Sequence, residues 1–440
     1  MFETLKNVFK VEDLRKRILF TFLMMVIIRL GSQIPVPGID RELFSEWMSS
    51  QNADAFNFFH SITGGSFEDM SVFALSITPY ITASIIMQLL TIAIPAIEQM
   101  HKEGEEGRKK IVAITRYLNV GLSVFTGTAM AIGFGRSGYL ETYDVLHVIS
   151  IVAILTAGSA ILMWIGEQIT EHGVGNGISI VLVINIISRL PSDIQTLGEQ
   201  FVLGKNYGQA AVSIVVIAAI ILLTVVLVVI LQNAVRKIPV QYSRKIQGRV
   251  QVGGQSTHIP LRVNTAGVIP VIFAQSLMQT PVIIASLVGN TGGTGIWGKI
   301  LNTLTQSNWC DPAQPIYSIG LVIYLALVVI FAYFYTSITF NPMEIAENMR
   351  KQGGSIPGIR SGKPTSDYLT QILNRIVLIG AVGLCIVCVI PIFFNGVFNA
   401  SVSFGGTSLI IIVGVIIETL KQIESMMVTR HYRKGFLGGE

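Results

Sequence analysis

Apolar positions in this chain come in long unbroken blocks, not in the alternation of a half-buried strand or the one-sided stripe of a surface helix. Windows free of Asp, Glu, Lys and Arg cover 70–97, 117–135, 145–166, 206–235, 263–298, 312–343 and 376–417. About 20 apolar residues cross a bilayer, so most windows predict one span, and the last, with polar "FNGVFNASVSFGG" in its middle, predicts two. A first span near 18–36 and a short one near 177–190, entered through "GVGNG", bring the expected number to ten. Arg15, Lys16 and Arg17 lead into the first span without a small-residue cleavage site, so it is expected to remain a span and not to be removed as a leader.

Composition agrees. Of 440 residues, 51% are hydrophobic and 13% charged, where a soluble domain carries about a quarter charged, and the mean hydropathy is +0.62. The net charge of +5 matters here through its placement. With the N-terminus inside, every Lys and Arg falls on the inner face except Arg29, Arg41, Arg136, Arg189, Lys205 and Lys299. Ten spans then put both termini in the cytoplasm. The turn "EQITEHGVGNG" is the one inner loop without a basic residue. The loop "AVRKIPVQYSRKIQGRVQVGGQSTHIPLRVN" carries six basic residues and no acid, and "NPMEIAENMRKQGGSIPGIRSGKPTSDY" is nearly as long. A topology signal near anionic lipid explains the charge but not the length, so the two loops read as a docking surface for a large partner.

Polar side chains at membrane depth should face protein or water. They concentrate in the second span (Thr78, Pro79, Thr82, Ser84, Gln88) and the seventh (Pro270, Gln275, Ser276, Gln279, Thr280, Pro281). Helix-to-helix bonding accounts for any one of them, while their concentration fits helices that part or line water. Arg29 is the only ionisable group expected inside a span, which argues against an ion-coupled solute carrier, the runner-up reading. No HExxH, no GxxxxGK[ST] and no readable nucleophile–base spacing supports an enzyme. Cys385 and Cys388 in a span and Cys310 in a loop, with scattered histidines, lack disulfide or metal spacing and read as packing residues. No metal or cofactor is expected. In "FNFFHSITGGSFEDM", Asp54 can cap a short helix with Ala55, Phe58, Phe59 and Ile62 on one face, ended by Gly64 and Gly65. Its apolar stripe, on the outer side, needs burial.

"SVFALSITPYITASIIMQLL", "RKKIVAITRYLNV", "WIGEQITEHGVGNGISIV" and "VNTAGVIPVIFAQS", in this order, resemble the motifs of the SecY family, the channel-forming subunits of bacterial protein translocases, over essentially the whole chain. The resemblance implies an all-α polytopic membrane protein of the bacterial cell membrane, its ten helices in two pseudo-symmetric halves around an hourglass pore. The N-terminal half would be 1–205, with a plug at about 55–70 including Phe58, Phe59, Ile62, Gly64 and Gly65. The C-terminal half would be 206–440, with cytoplasmic loops 232–266 and 337–370. It implies a pore ring of Ile77, Ile81, Ile178, Leu182, Ile272 and Ile411, positions that without the family read as ordinary buried aliphatics; Leu182 departs mildly from the usual isoleucine. A lateral gate between the second and third and the seventh and eighth spans would carry Thr82, Gln88 and Gln275. Arg244, Lys245, Arg249 and Arg360 would meet the SecA ATPase or the ribosome, with ribosomal RNA the only nucleic acid touched. Other implied partners are SecE- and SecG-like small membrane subunits, signal peptides, nascent preproteins and anionic lipid. The implied function is passage of unfolded preproteins outward and lateral release of transmembrane segments.

Overall fold

The computed structural model describes residues 11–41, 43–44, 62–140, 142–202, 207–242, 245–247, 250–252, 256–287, 295–310, 312, 314–398 and 406–437. Its helices are α1 (Glu12–Gly31), α2 (Thr78–Ala93), α3 (Pro95–Lys102), α4 (Glu105–Ser137), α5 (Val145–His172), α6 (Gly177–Phe201), α7 (Tyr207–Asn233), α8 (Ile269–Leu287), α9 (Ile296–Leu304), α10 (Ile319–Thr339), α11 (Pro342–Lys351), α12 (Lys363–Phe398) and α13 (Gly406–Leu437). A helix occupies each place where a span was expected. Among the described residues, 6 helices are long and apolar enough to cross a membrane, or 7 if α2 and α3, bent by 101° at Ile94, count as one broken span. The bend follows from Pro95, whose ring disfavours helical backbone at the residue before it; Ile94 is extended, at φ −115° and ψ 111°. The first helix differs from expectation at both ends. It starts at Glu12, ahead of Arg15, Lys16 and Arg17, and stops at Gly31, where the Ser32 hydroxyl donates to the Arg29 carbonyl at 2.8 Å.

The helix expected to be short at 177–190 instead runs to Phe201 through Pro191. Its beginning is fixed by Asn176, whose Oδ1 accepts from the backbone N–H of Ile178 (3.1 Å) and Ser179 (3.4 Å). The added turns bring Asp193 and Glu199 into the same helix as Arg189, so Arg29 is not the only ionisable residue on a membrane-length segment.

The chain is also not all-α. The long basic loop forms β1 (Val235–Tyr242) and β4 (Ser256–Arg262), antiparallel with Val235 opposite Arg262 and Gln241 opposite Ser256. The second long loop adds β5 (Gly354–Ser355) to β1, giving the order β4-β1-β5, while β2 (Lys245–Gln247) and β3 (Val250–Val252) make a separate ribbon. The reason is a period of two inside β1: Ile238 and Val240 point inward and are buried between exposed neighbours. With Leu261, Met349 and Ile356 they form an apolar cluster on Leu369 and Ile376 of α12. That helix has 36 residues and is about 54 Å long at 1.5 Å per residue, more than a hydrocarbon core needs, so one end serves as a post for the sheet.

Within the helical body α5 packs on α4 and α6, α2 on α4, α8 and α12 on α10, and α6 and α7 on α13. The segment 62–77 is wedged among α1, α5 and α6. Phe67 meets Phe44 edge-on at 5.7 Å, and two backbone bonds, Val36 N–H to the Met70 carbonyl and Val72 N–H to the Ile34 carbonyl, both 2.9 Å, staple its end to the residues after α1.

Candidate functional site

All six residues expected in the ring lie in one contiguous apolar cluster. Ile77 is the residue before α2, and Ile81 follows one turn later, its N–H bonded to the Ile77 carbonyl at 3.1 Å. Ile178 and Leu182 stand one turn apart at the start of α6, Ile272 lies in the first turn of α8, and Ile411 near the start of α13. Ile77, Leu182, Ile272 and Ile411 are buried; Ile81 and Ile178 are partly so. Ile62 belongs to the same cluster, at 3% exposure. Four separate stretches of sequence thus contribute these six branched aliphatic side chains to one apolar girdle, whose other members include Phe73, Tyr80 and Met24.

Along α6 the surroundings change sign on either side of that girdle. Toward its start, Asn176, Ser179 and Leu182 line a recess of ≈ 250 Å³ whose apolar floor includes Ile272 and Ile411 and whose walls carry Gln232, Arg262, Asn264, Glu418 and Lys421. Toward its end, Asn185 is buried, and its Nδ2 donates to the Ser76 hydroxyl at 3.1 Å. Ser188 donates to the Asn185 carbonyl at 2.6 Å and to the Gly64 carbonyl at 3.3 Å. Arg189 reaches Glu68 at 3.6 Å and Asp193 at 3.5 Å. The chain ends its helical turn at Thr63, and Gly64 and Gly65 follow at φ +65° and +87°, as expected for glycines that stop a helix. Phe58 and Phe59 lie outside the described residues.

Sequence reasoning missed Asn185, Ser188 and Ser76. The available signal was a lone asparagine inside "IVLVINIIS", which announces a buried partner; its partner is 109 residues away.

The residues expected at the lateral gate stay in their own neighbourhoods. The Thr82 hydroxyl donates to the Thr78 carbonyl at 3.1 Å, Gln88 Nε2 donates to Ser84 Oγ at 3.4 Å, and Gln275 Nε2 donates to Gln306 Oε1. The two helices that do meet across this side are α4 and α8. Among the described residues the Oε1 atoms of Gln88, Gln275 and Gln279 are buried and find no hydrogen-bond partner, each a local cost of about 1–3 kcal/mol. Of the expected docking residues, Arg360 is exposed in the turn before α12, where its carbonyl accepts from the Thr365 hydroxyl at 2.8 Å. Lys245 opens strand β2; Arg244 and Arg249 lie outside the described residues. The cysteines are free. Burial pushes the Cys310 thiol up from its ordinary value, away from reactive thiolate. Among the described residues no group of His, Cys, Asp and Glu could hold a metal ion.

A family model described as SecY matches residues 71–420. The chain is 43% identical over 450 residues to the protein translocase subunit SecY of Halalkalibacterium halodurans, covering 99% of this chain and 100% of that one. It is 42% identical over 447 residues to the subunit of the same name from Bacillus subtilis, again with 99% and 100% covered. Among solved structures, one described as a protein conducting channel superposes with a TM-score of 0.66 at 19% identity, over 94% of this chain and 93% of the other. Sec61 of a canine ribosome-channel complex gives 0.61 at 18%, with 94% and 93% covered. The structural matches carry the fold; full-length identity above 40% carries the kinship, and the chain belongs to the SecY family.

Proposed function

We propose that the chain is the pore subunit of a protein-conducting channel, passing unfolded preproteins through the aliphatic girdle and releasing apolar segments sideways into lipid. The observation that supports this reading is the apolar cluster that gathers the six expected ring residues with Ile62 and borders a partly polar recess. A sliding polypeptide needs a lining that binds no particular side chain, and a narrow apolar constriction gates by dewetting. A solute carrier would instead need fixed polar groups at its narrowest point, and membership of a family of translocase subunits sets that alternative aside.

In this reading ten helices span the bacterial cell membrane with both termini in the cytoplasm, in halves 1–205 and 206–440. The segment around Ile62, Gly64 and Gly65 is the plug. The contact of α4 with α8, and the incompletely paired Gln88, Gln275 and Gln279, support a lateral gate there, since closed packing that leaves acceptors unpaired is easier to open. The sheet of the two long loops, standing on α12 with Arg360 exposed beside it, is the docking surface for the SecA motor or the ribosome. SecE- and SecG-like subunits complete the complex.

A stalled secretory chain carrying a photocrosslinker tests the pore: it should attach to girdle residues, and attachment only to lipid-facing positions of α7 would overturn the reading. Arg360→Glu should block motor-driven export while insertion and assembly stay intact; export at the normal rate would remove Arg360 from the docking surface.

A further inference from the structure

One turn of α6 holds both ends of the segment that inserts Ile62 into the girdle, and every contact involved is specific to a single arrangement. At the near end, Gly64 lies so close to the backbone of Asn185 that a Cβ would stand 2.5 Å from the Asn185 carbonyl oxygen. Its own carbonyl accepts from Ser188. In the middle, Glu68 faces Arg189. At the far end Ser76, fully buried and immediately before the girdle residue Ile77, has φ +52°, a conformation that costs a residue with a Cβ and persists only when its surroundings enforce it. The group that bonds the Ser76 side chain is the Asn185 amide. An α-helix turn covers about 5 Å, so Asn185, Ser188 and Arg189 form one compact patch.

We propose that Asn185, Ser188 and Arg189 are a clasp that sets how hard the pore is to open, and hence how good a signal sequence must be to open it. The proposal rests on reading the segment around Ile62, Gly64 and Gly65 as the plug of a translocation pore. When that segment leaves, Ser188 loses the Gly64 carbonyl and Arg189 loses Glu68, while Asn185, bonded to Ser76 beyond the staple at 70–72, holds the backbone seat against which Gly64 packs in the closed state. The girdle does not supply this selectivity, because aliphatic side chains can slide and repack, whereas a bond of fixed direction is either made or lost. A ligand moves such an equilibrium only by its differential affinity for the two states. A clasp that favours the closed state therefore rejects weak signal sequences and leaves strong ones able to open the channel. Arg189 retains Asp193 within its own helix after release, so its charge is not left bare and the clasp can open without exposing an unpaired ion.

The test uses the complete reconstituted complex, with resting channel openings recorded in a planar bilayer and export scored for one substrate bearing an intact and one bearing a weakened signal sequence. Asn185→Leu keeps the volume and removes the amide; Ser188→Ala removes only a hydroxyl. Each should raise resting openings about 5- to 30-fold, the range expected when one or two buried polar contacts are lost. Export of the weak-signal substrate should rise with little change for the strong one. Glu68→Arg and Arg189→Glu should each do the same, and the double exchange should return openings toward the wild-type level. If Asn185→Leu fails to assemble, Ser188→Ala and the charge exchange decide. Wild-type openings and wild-type stringency in the assembled Ser188→Ala and charge-exchanged complexes would overturn the clasp. Failure of the pore reading looks different: the wild-type complex would not pass a strong-signal substrate at all.

Discussion

On one face of the girdle the chain leaves a recess of ≈ 250 Å³ edged by Asn176, Asn264, Glu418 and Lys421; on the other, Ile62 and Gly64 are pressed into α6 and bonded there. Both faces are built on the same helix, yet one is left open while the other is filled by residues 62–64. If the cluster is the pore ring proposed above, closure is not a property of the constriction alone: the ring would supply a surface that water avoids and the inserted segment the fit. An entrance that accepts many sequences would then be wide and polar, and an exit that stays shut would be lined with contacts that one segment alone can make.

The comparison breaks most severely if the ring is made polar. Replacing Ile81, Ile178 and Ile272 together by Ser should raise resting ion conductance on the order of tenfold, about 1.4 kcal/mol of gating free energy, with bulk export kept. Single-channel recording on the assembled triple mutant checks it, and an unchanged closed baseline would show that these three do not form the seal. Gly64→Ala should act less strongly and only on the filled side. Alanine at φ +65° with its Cβ against the Asn185 backbone costs about 1 kcal/mol in the closed state, so resting openings should increase about 5-fold. The same recording reads it, and a closed time equal to wild type would mean that the segment can shift without loss. Ser179→Ala, on the recess side, should change resting conductance by less than about 2-fold, since Ser179 is only half-buried and a change away from close packing usually stays within about 0.5 kcal/mol. A large effect there would show that the recess wall takes part in closure.

Much of this plan is readable along the chain. Long charge-free windows place the helices because lipid leaves backbone groups no other partner, and the basic residues sort to one side for reasons independent of fold. Gly64 and Gly65 announce the end of the short helix by their lack of a Cβ. What stays hidden is what depends on distant partners. Ile238 and Val240 alternate with Lys237, Pro239 and Gln241, and charge and proline mask a strand whose inward face finds its cover on α12 more than a hundred residues later. Pro191 reads as a stop, but a helix with packed neighbours tolerates the lost hydrogen bond, and α6 continues to Asp193, where Arg189 finds its second carboxylate. The ring residues have no local mark at all: Ile77 and Ile411 look like any aliphatic residue in an apolar run, and only the folded chain brings them together.

The staple between residues 34–36 and 70–72 fixes the length of a leash. From Gly65 to Met70 the chain has a contour of about 20 Å at 3.3–3.6 Å per residue, so the segment around Gly64 and Gly65, if it is the plug proposed above, remains within that distance of Met70 when it leaves the girdle. It would then behave as a tethered blocker, present at an effective concentration in the millimolar range expected of short linkers. Reclosure would be a unimolecular step that needs no diffusing component, its rate set by the leash and not by how many channels or partners the membrane contains.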